Sequence, residues 1–441
     1  MATGTSGGAE TAEFIHDLRP GDIPAGALHM ARRCLLDTIA IWAGGSATEA
    51  SRIACAHAAR RYPGALRMPF DGREVNPVGY AFAGAASIDA LDGHDGHQLC
   101  KGHASVALVP ALMAELGAAD CGLDDLLCHL IVGEEIAIRA GLTLHATAPD
   151  YHSSGAWNGI GAAAIAARLR GLDRGQTLHA LGIAEYYGPR APMMRCIAHP
   201  TMVKDSSSWG ALVGVSAADL AEDGFTGAPA ETLAAGAAWA DLGRRWRILE
   251  TNFKAYPNCR WAHPAVEALL SLTRAEDVAA DDIAAIEVTS FAEALALDTR
   301  RPADTDAAQY SLPVALAIAA QHGTIRPEHL EPAVFDRPET RRLIDLVAFK
   351  GSAAFDAAFP AERFAAVTLR LADGRELRSG PHQARGNFDS ALSDGELLAK
   401  LKTYRPDAFP PGGIDVVAGL LEGASPNWHA LREAVLPRAG D

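Results

Sequence analysis

The chain is short of the features that mark several protein classes. It carries no apolar run approaching the roughly 18 residues a membrane span requires, and its opening MATGTSGGAETAEFIHD lacks the basic stretch followed by an apolar core that marks a secretory leader. Membrane insertion and export are therefore not expected, and the cytoplasm is the expected compartment. Cysteine is sparse and scattered: seven residues, an odd number, never spaced Cys-x-x-Cys. That spacing disfavours a disulfide framework, a zinc ribbon or an iron–sulfur cluster. Positive charge is also in deficit, with a net charge of −15 and a pI near 5.5, which argues against a nucleic-acid partner. No Gly-x-Gly-x-x-Gly follows a strand-like segment, so a dinucleotide or phosphate cradle is not expected either.

What remains is apolar and helical in rhythm. Nearly half of the 441 residues are hydrophobic, enough for a large interior and more than one domain. Apolar positions recur at three- and four-residue steps over 23–42, 78–91, 105–116, 124–144, 160–169, 208–221 and 264–272, which predicts amphipathic helices, with no strand before about residue 245. Many of these segments are built on Ala and Gly, which predicts closely approaching helix backbones. The rhythm changes near 281. IAAIEVTSF reads as a strand, AAVTLRLADGRELRSG as two strands about an Asp373-Gly374 turn, and 308–322 and 339–346 as helices between them. From 393 to 436 the pattern is helical again, bent at Pro410-Pro411. The expected fold is mainly α: a large helical domain from 1–274, a smaller inserted α+β lid domain over 275–392, and C-terminal helices over 393–441 returning to the first domain.

Five polar stretches interrupt the Ala-rich helices: LDGHDGHQLCKGHAS (91–105), YHSSGAWNG (151–159), MVKDSSSWG (202–210), FKAYPNCRWAHPA (253–265) and AQYSLPV (308–314). Singly, each has an ordinary explanation in turn residues, helix caps or surface lysines. Metal binding is the sharpest rival reading of the first stretch, because His94, His97 and His103 with Asp92 and Asp95 offer nitrogen and oxygen ligands. Their spacing matches no defensible metal signature, so neither a metal nor another cofactor is expected.

Taken together and in order, these stretches, with LLDTIAIWAGG before them and KDSSSWGALVGVSAADLAEDGFTG among them, make the sequence resemble the MmgE/PrpD family, which includes 2-methylcitrate dehydratase, cis-aconitate decarboxylase and iminodisuccinate epimerase. The resemblance implies a homodimer of subunits with a helical domain and an α+β lid. It also implies chemistry on a small di- or tricarboxylate: a dehydratase-type lyase first, an epimerase of a substituted succinate as the alternative, and a decarboxylase third. By resemblance, Asp92, His103, His152, Lys204, Lys254 and His263 match the family's catalytic positions. Lys101, Arg260 and Ser207, with Arg195 as a further cation, are candidates for binding substrate. The chain departs from the family's pattern at Ala104 and Ser153, where proline commonly follows histidine, and at Ser207, where a histidine is common. It departs again at Gly96, near a threonine of the decarboxylase branch, and at Val314, where that branch has a tyrosine. Proton removal beside a carboxylate needs a base, an acid and fixed positive charge, which histidine and lysine supply.

Overall fold

The computed structural model describes residues 5–234 and 236–437; residues 1–4, 235 and 438–441, which the expected domain spans include, lie outside the described residues. The chain is mainly helical. In order, α1 (Thr5–Asp17), α2 (Ala25–Gly45), α3 (Glu49–Arg61), α4 (Pro77–Asp89), α5 (Ser105–Leu116), α6 (Leu123–Thr147), α7 (Gly155–Leu169), α8 (Arg174–Tyr187), α9 (Met193–Ala198) and α10 (Ser207–Glu222) precede the first long strand. Helix α7, GAWNGIGAAAIAARL, lies at the centre, packed against α5, α6, α8 and α10. Its small residues decide that position. A Cβ on Gly214 of α10 would sit 2.4 Å from the Gly159 carbonyl, and one on Gly159 would sit 2.6 Å from that of Gly210. The two backbones cross so closely that no side chain fits between them.

Three short pieces of strand occur before residue 245, where none was expected. β1 (Leu66–Arg67) pairs with β2 (Glu74–Val75), and β3 (Gly96–His97) pairs antiparallel with β4 (Thr251–Asn252). Pairings two residues long are too brief to leave a period-2 signature. The β3–β4 contact ties the polar loop after α4 to the segment that leads into α11 (His263–Ala275).

The later part of the chain carries a four-stranded sheet in the order β6-β5-β7-β8, from β5 (Ile283–Ser290), β6 (Val347–Gly351), β7 (Ala365–Leu371) and β8 (Glu376–Arg378). The β7–β8 hairpin turns at Asp373-Gly374, with Gly374 at φ 89°. Strand β6 was not anticipated: it runs parallel to β5, reads VAFKG, and is exposed for most of its length, so alternation is weak. Helix α11 lies on β7, and α12 (Leu312–His322) on α11.

Buried apolar side chains form two cores. One joins Leu36, Ile39, Trp42, Trp157 and Ile165 to Leu397 and Leu401 of α13 (Asp394–Thr403) and to Trp428 and Val435. The other joins Val266, Leu269, Ile286, Val288, Leu316, Ile344, Val367 and Leu369. The polar loops lie where these cores meet.

Candidate active site

A narrow cleft at that junction is lined by Asp92, Gly96, His97, Lys101, Gly102 and His103 of the loop between α4 and α5. Tyr151, Met193, Ile197 and Asp205 line it from the helical side, and Asn252, Lys254, Cys259, Arg260 and Trp261 from the segment before α11. Tyr310 and Arg363 close it from the side of the second core. Its free volume is about 40 Å³, room for a few waters. Of the candidates named from sequence, the fold gathers Asp92, Lys101, His103, Lys254 and Arg260 around this cleft.

Two acid–base groupings face each other there. Lys254 makes a buried ion pair with Asp92 and also donates to the Asp92 carbonyl at 3.2 Å. The Asp92 amide donates to Gln309 Oε1 at 2.7 Å. Burial alone would raise the Asp92 carboxyl, but Lys254, His103 and His94 override it and hold the group below the usual carboxylate range. In the second grouping, the Nδ1 of His103 is hydrogen-bonded to the Asp95 carbonyl. A carbonyl can only accept, so Nδ1 bears the proton and Nε2 the lone pair when the ring is neutral. That Nε2 lies 3.4 Å from Asp205 Oδ2, which accepts from Ser154 Oγ at 2.6 Å. The His103 backbone is fixed on both sides, its amide donating to Ser154 Oγ at 2.9 Å and its carbonyl accepting from Asn158 at 3.1 Å.

Burial sets the charge states. It pushes His103 well below the ordinary imidazole value, with Lys254 and His94 adding to the effect. The Asp205 carboxyl is pushed up to about 8, first by burial and then by Asp89. A neutral imidazole and a neutral carboxylic acid thus stand side by side at neutral pH. Around them are four cations, Lys101, Lys254, Arg260 and Arg363, and one ionised carboxylate, Asp92. In a chain of net charge −15, the cleft is a local positive site suited to a small anion.

The remaining candidates lie apart from the cleft lining. His152 is half-buried, its Nδ1 donating to the Asp150 carbonyl at 2.8 Å and its ring stacked on His145. Lys204 is buried in a 3.0 Å ion pair with Asp306 and donates to Gln309 Oε1 at 3.0 Å. Ser207 is buried at the start of α10, its amide donating to Asp89 at 3.2 Å. His263 packs against Tyr256, with Nε2 against the Asn258 carbonyl at 3.1 Å. Arg195 and Lys204 line a different, more open groove with Trp209. The histidines of the first polar stretch point three ways: His94 to Asp89 at 3.3 Å, His97 to Glu250 at 3.2 Å and His103 to Asp205. Among the described residues, no group of three or more His, Cys, Asp or Glu is arranged to hold a metal ion.

Sequence reading missed Asp205, Tyr151, Tyr310 and Arg363. The first three lie inside the polar stretches it singled out, Tyr151 beside His152 and Asp205 beside Lys204, whereas Arg363 precedes the stretch read as a strand and drew no reading. Backbone geometry supplied a further signal: Lys101, Lys204 and Ser206 adopt positive φ, at 54°, 44° and 56°. Non-glycine residues are strained there, and such strain gathers at functional loops. Val314 is fully buried in α12; the phenol facing the cleft is that of Tyr310, four residues earlier.

The chain belongs to the MmgE/PrpD family: the family's N-terminal domain matches residues 9–244 and its C-terminal domain residues 256–412. It is 26% identical to a cis-aconitate decarboxylase-like protein, oryM, of Aspergillus oryzae, over 89% of each chain. It is also 26% identical to a cis-aconitate decarboxylase of Aspergillus terreus, over 60% of each chain. No helix among the described residues is long and apolar enough to cross a membrane.

Proposed function

We propose that the chain is a cofactor-independent lyase that takes a proton from carbon beside a carboxylate of a citrate-like di- or tricarboxylate and expels water from the neighbouring carbon. The observation that carries this reading is the His103–Asp205 pair: a base whose lone pair is fixed toward the cleft, next to an acid that burial keeps protonated. The C–H bond breaks with its proton passing to His103 Nε2, and the electron pair delocalises into the adjacent carboxylate. Lys254, fixed at that wall, stabilises the developing charge. The C–O bond breaks as Asp205 protonates the departing hydroxide. His103, now cationic, and Asp205, now anionic, are 3.4 Å apart, and passing the proton between them restores both groups.

Decarboxylation is the second reading, favoured by the names of the two fungal relatives. Loss of carbon dioxide leaves a carbanion that needs a proton, which the same pair would deliver. Incubating the protein with citrate, 2-methylcitrate, cis-aconitate and iminodisuccinate and weighing the products tests both. A product lighter by one water is expected, one lighter by carbon dioxide favours the second reading, and inverted substrate of unchanged mass favours an epimerase. No turnover of any carboxylate removes the lyase reading. A homodimer belongs to the same proposal. Exposed Ile53, Met202, Val203 and Trp209 line one groove, the kind of apolar surface a second subunit covers; sedimentation is expected to give twice the chain mass.

A further inference from the structure

Three of the cleft's four cations have no carboxylate partner. Lys254 is neutralised by Asp92, but among the described residues no ion pair is formed by Lys101, Arg260 or Arg363. The Arg260 guanidinium is occupied by neutral acceptors, Nη1 donating to the Phe253 carbonyl at 2.9 Å and Nη2 to Asn387 at 2.6 Å. Lys101 lies over the Tyr151 ring at 5.1 Å. Arg363 is different. Its Nη2 donates to the Gln98 carbonyl at 3.0 Å, its guanidinium lies 5.8 Å from the Phe359 ring, and its Nε is buried without any hydrogen-bond partner. A buried guanidinium with an open N–H, facing a cleft it shares with two further unpaired cations, is destabilising unless an anion completes it. The mutual repulsion of the three is relieved by the same anion.

Arg363 stands just before β7, on the side of the second core, while Gln98 belongs to the loop that carries Asp92 and His103. Gln98 Nε2 donates to the Ala361 carbonyl as well as receiving Arg363 at its own carbonyl. The Arg363 segment is thereby docked on the loop that carries Asp92 and His103.

We propose that Arg363 binds a second carboxylate of the substrate, remote from the reacting carbon, and so makes the cleft select anions with two separated carboxylates. The inference rests on the lyase reading for the identity of the reacting end, but not for the binding itself. Lys254 and the His103–Asp205 pair hold the reacting end; the open Nε of Arg363, with Lys101 and Arg260 beside it, offers a planar donor fork to the other.

The test is calorimetric titration with glutarate, which has two separated carboxylates and no hydroxyl to lose, and with its monoamide, which keeps only one carboxylate. Wild-type protein is expected to bind the dicarboxylate at least about tenfold more tightly than the monoamide, the usual scale for losing one charge-assisted contact. In Arg363→Gln that preference is expected to vanish, and in Arg363→Lys to survive in part. A preference that persists undiminished in a folded Arg363→Gln overturns the proposal. Should Arg363→Gln fail to fold, equal affinity of the wild-type protein for the two probes overturns it on its own. Loss of selectivity in the variant, in a wild-type protein that turns over no carboxylate, would sink the lyase reading and leave this inference standing.

Discussion

His103 has one ring nitrogen committed to a carbonyl and the other facing a carboxyl, so replacing either member of the pair isolates the function from the fold. Asp205→Asn keeps the shape and the contact from Ser154 but cannot carry a proton. Turnover is expected to fall by about a hundredfold or more, the ordinary contribution of a positioned acid, with near-unchanged circular dichroism. Stability should move the other way. Asp89 and Asp95 are pushed up to about 7 and Asp205 to about 8, in each case first by burial. These groups bind protons in the folded state that the unfolded chain releases above about 4, so folding stability is lost progressively as pH rises from about 4 to about 8. His94, pushed down to about 3, and His129 and His145, to about 4, all first by burial, act oppositely. The unfolded chain takes up protons there below about 6.5 and the folded one does not, so stability falls toward acid. Denaturant titrations are therefore expected to show a maximum at about pH 5, where the two opposing slopes cancel, with the alkaline decline shallower in Asp205→Asn. An alkaline limb identical in that variant would mean Asp205 is ionised in the folded protein. At this scale the sequence was legible where charge clustered: the loop 91–105 announced Asp92 and His103. It was silent on burial, which is what turns Asp205 from one residue of a serine-rich turn into an acid.

Among the elements, two buried lysines join parts of the chain that are distant in sequence. Lys204, at the entrance to α10, pairs with Asp306 just before α12, and Gln309 accepts from both Lys204 and the Asp92 amide while donating to the Ala90 carbonyl at 3.1 Å. Family resemblance made Lys204 a pocket cation; its partners here bind the two cores together. Lys204→Ala is expected to cost about 3–5 kcal/mol, because Asp306 would be left buried and unpaired, and Asp306→Asn in the same chain should recover much of that. If Lys204→Ala melts like the wild-type protein, the pair is not structural. Lys400 of α13 reaches Asp37 of α2 at 2.6 Å and the carbonyls of Gly93 and Lys254 at 2.6 and 3.1 Å. It holds the backbone on either side of the Asp92–Lys254 pair, so Lys400→Met is expected to lower both the denaturation midpoint and turnover, whereas Lys402→Met, on the exposed face, should change neither. The strongly periodic helices were readable to within a few residues. The edge strand β6 was not, because exposed positions carry no alternation, and neither were the two-residue strands, one of which fixes the loop that carries Asp92 and His103.

At the scale of the whole molecule, the cleft lies where two hydrophobic cores meet, and its walls come from segments spread between Asp92 and Arg363. The sequence named most of one wall, because its polar residues interrupt apolar helices; the opposing wall, with Tyr310 and Arg363, is assembled by packing and left little local trace. On the proposed reading, this junction moves a proton at a carbon beside a carboxylate. Incubation in deuterated water with the carboxylate that proves to be the substrate tests it most directly, followed by mass and proton spectra of recovered substrate and product. At equilibrium, deuterium is expected in recovered substrate at the carbon adjacent to the carboxylate, returned there when the wild-type protein reverses the elimination, and is expected to fade to background in His103→Gln. Approach to equilibrium without any exchange at that carbon, or labelling that survives undiminished in His103→Gln, would contradict this reading.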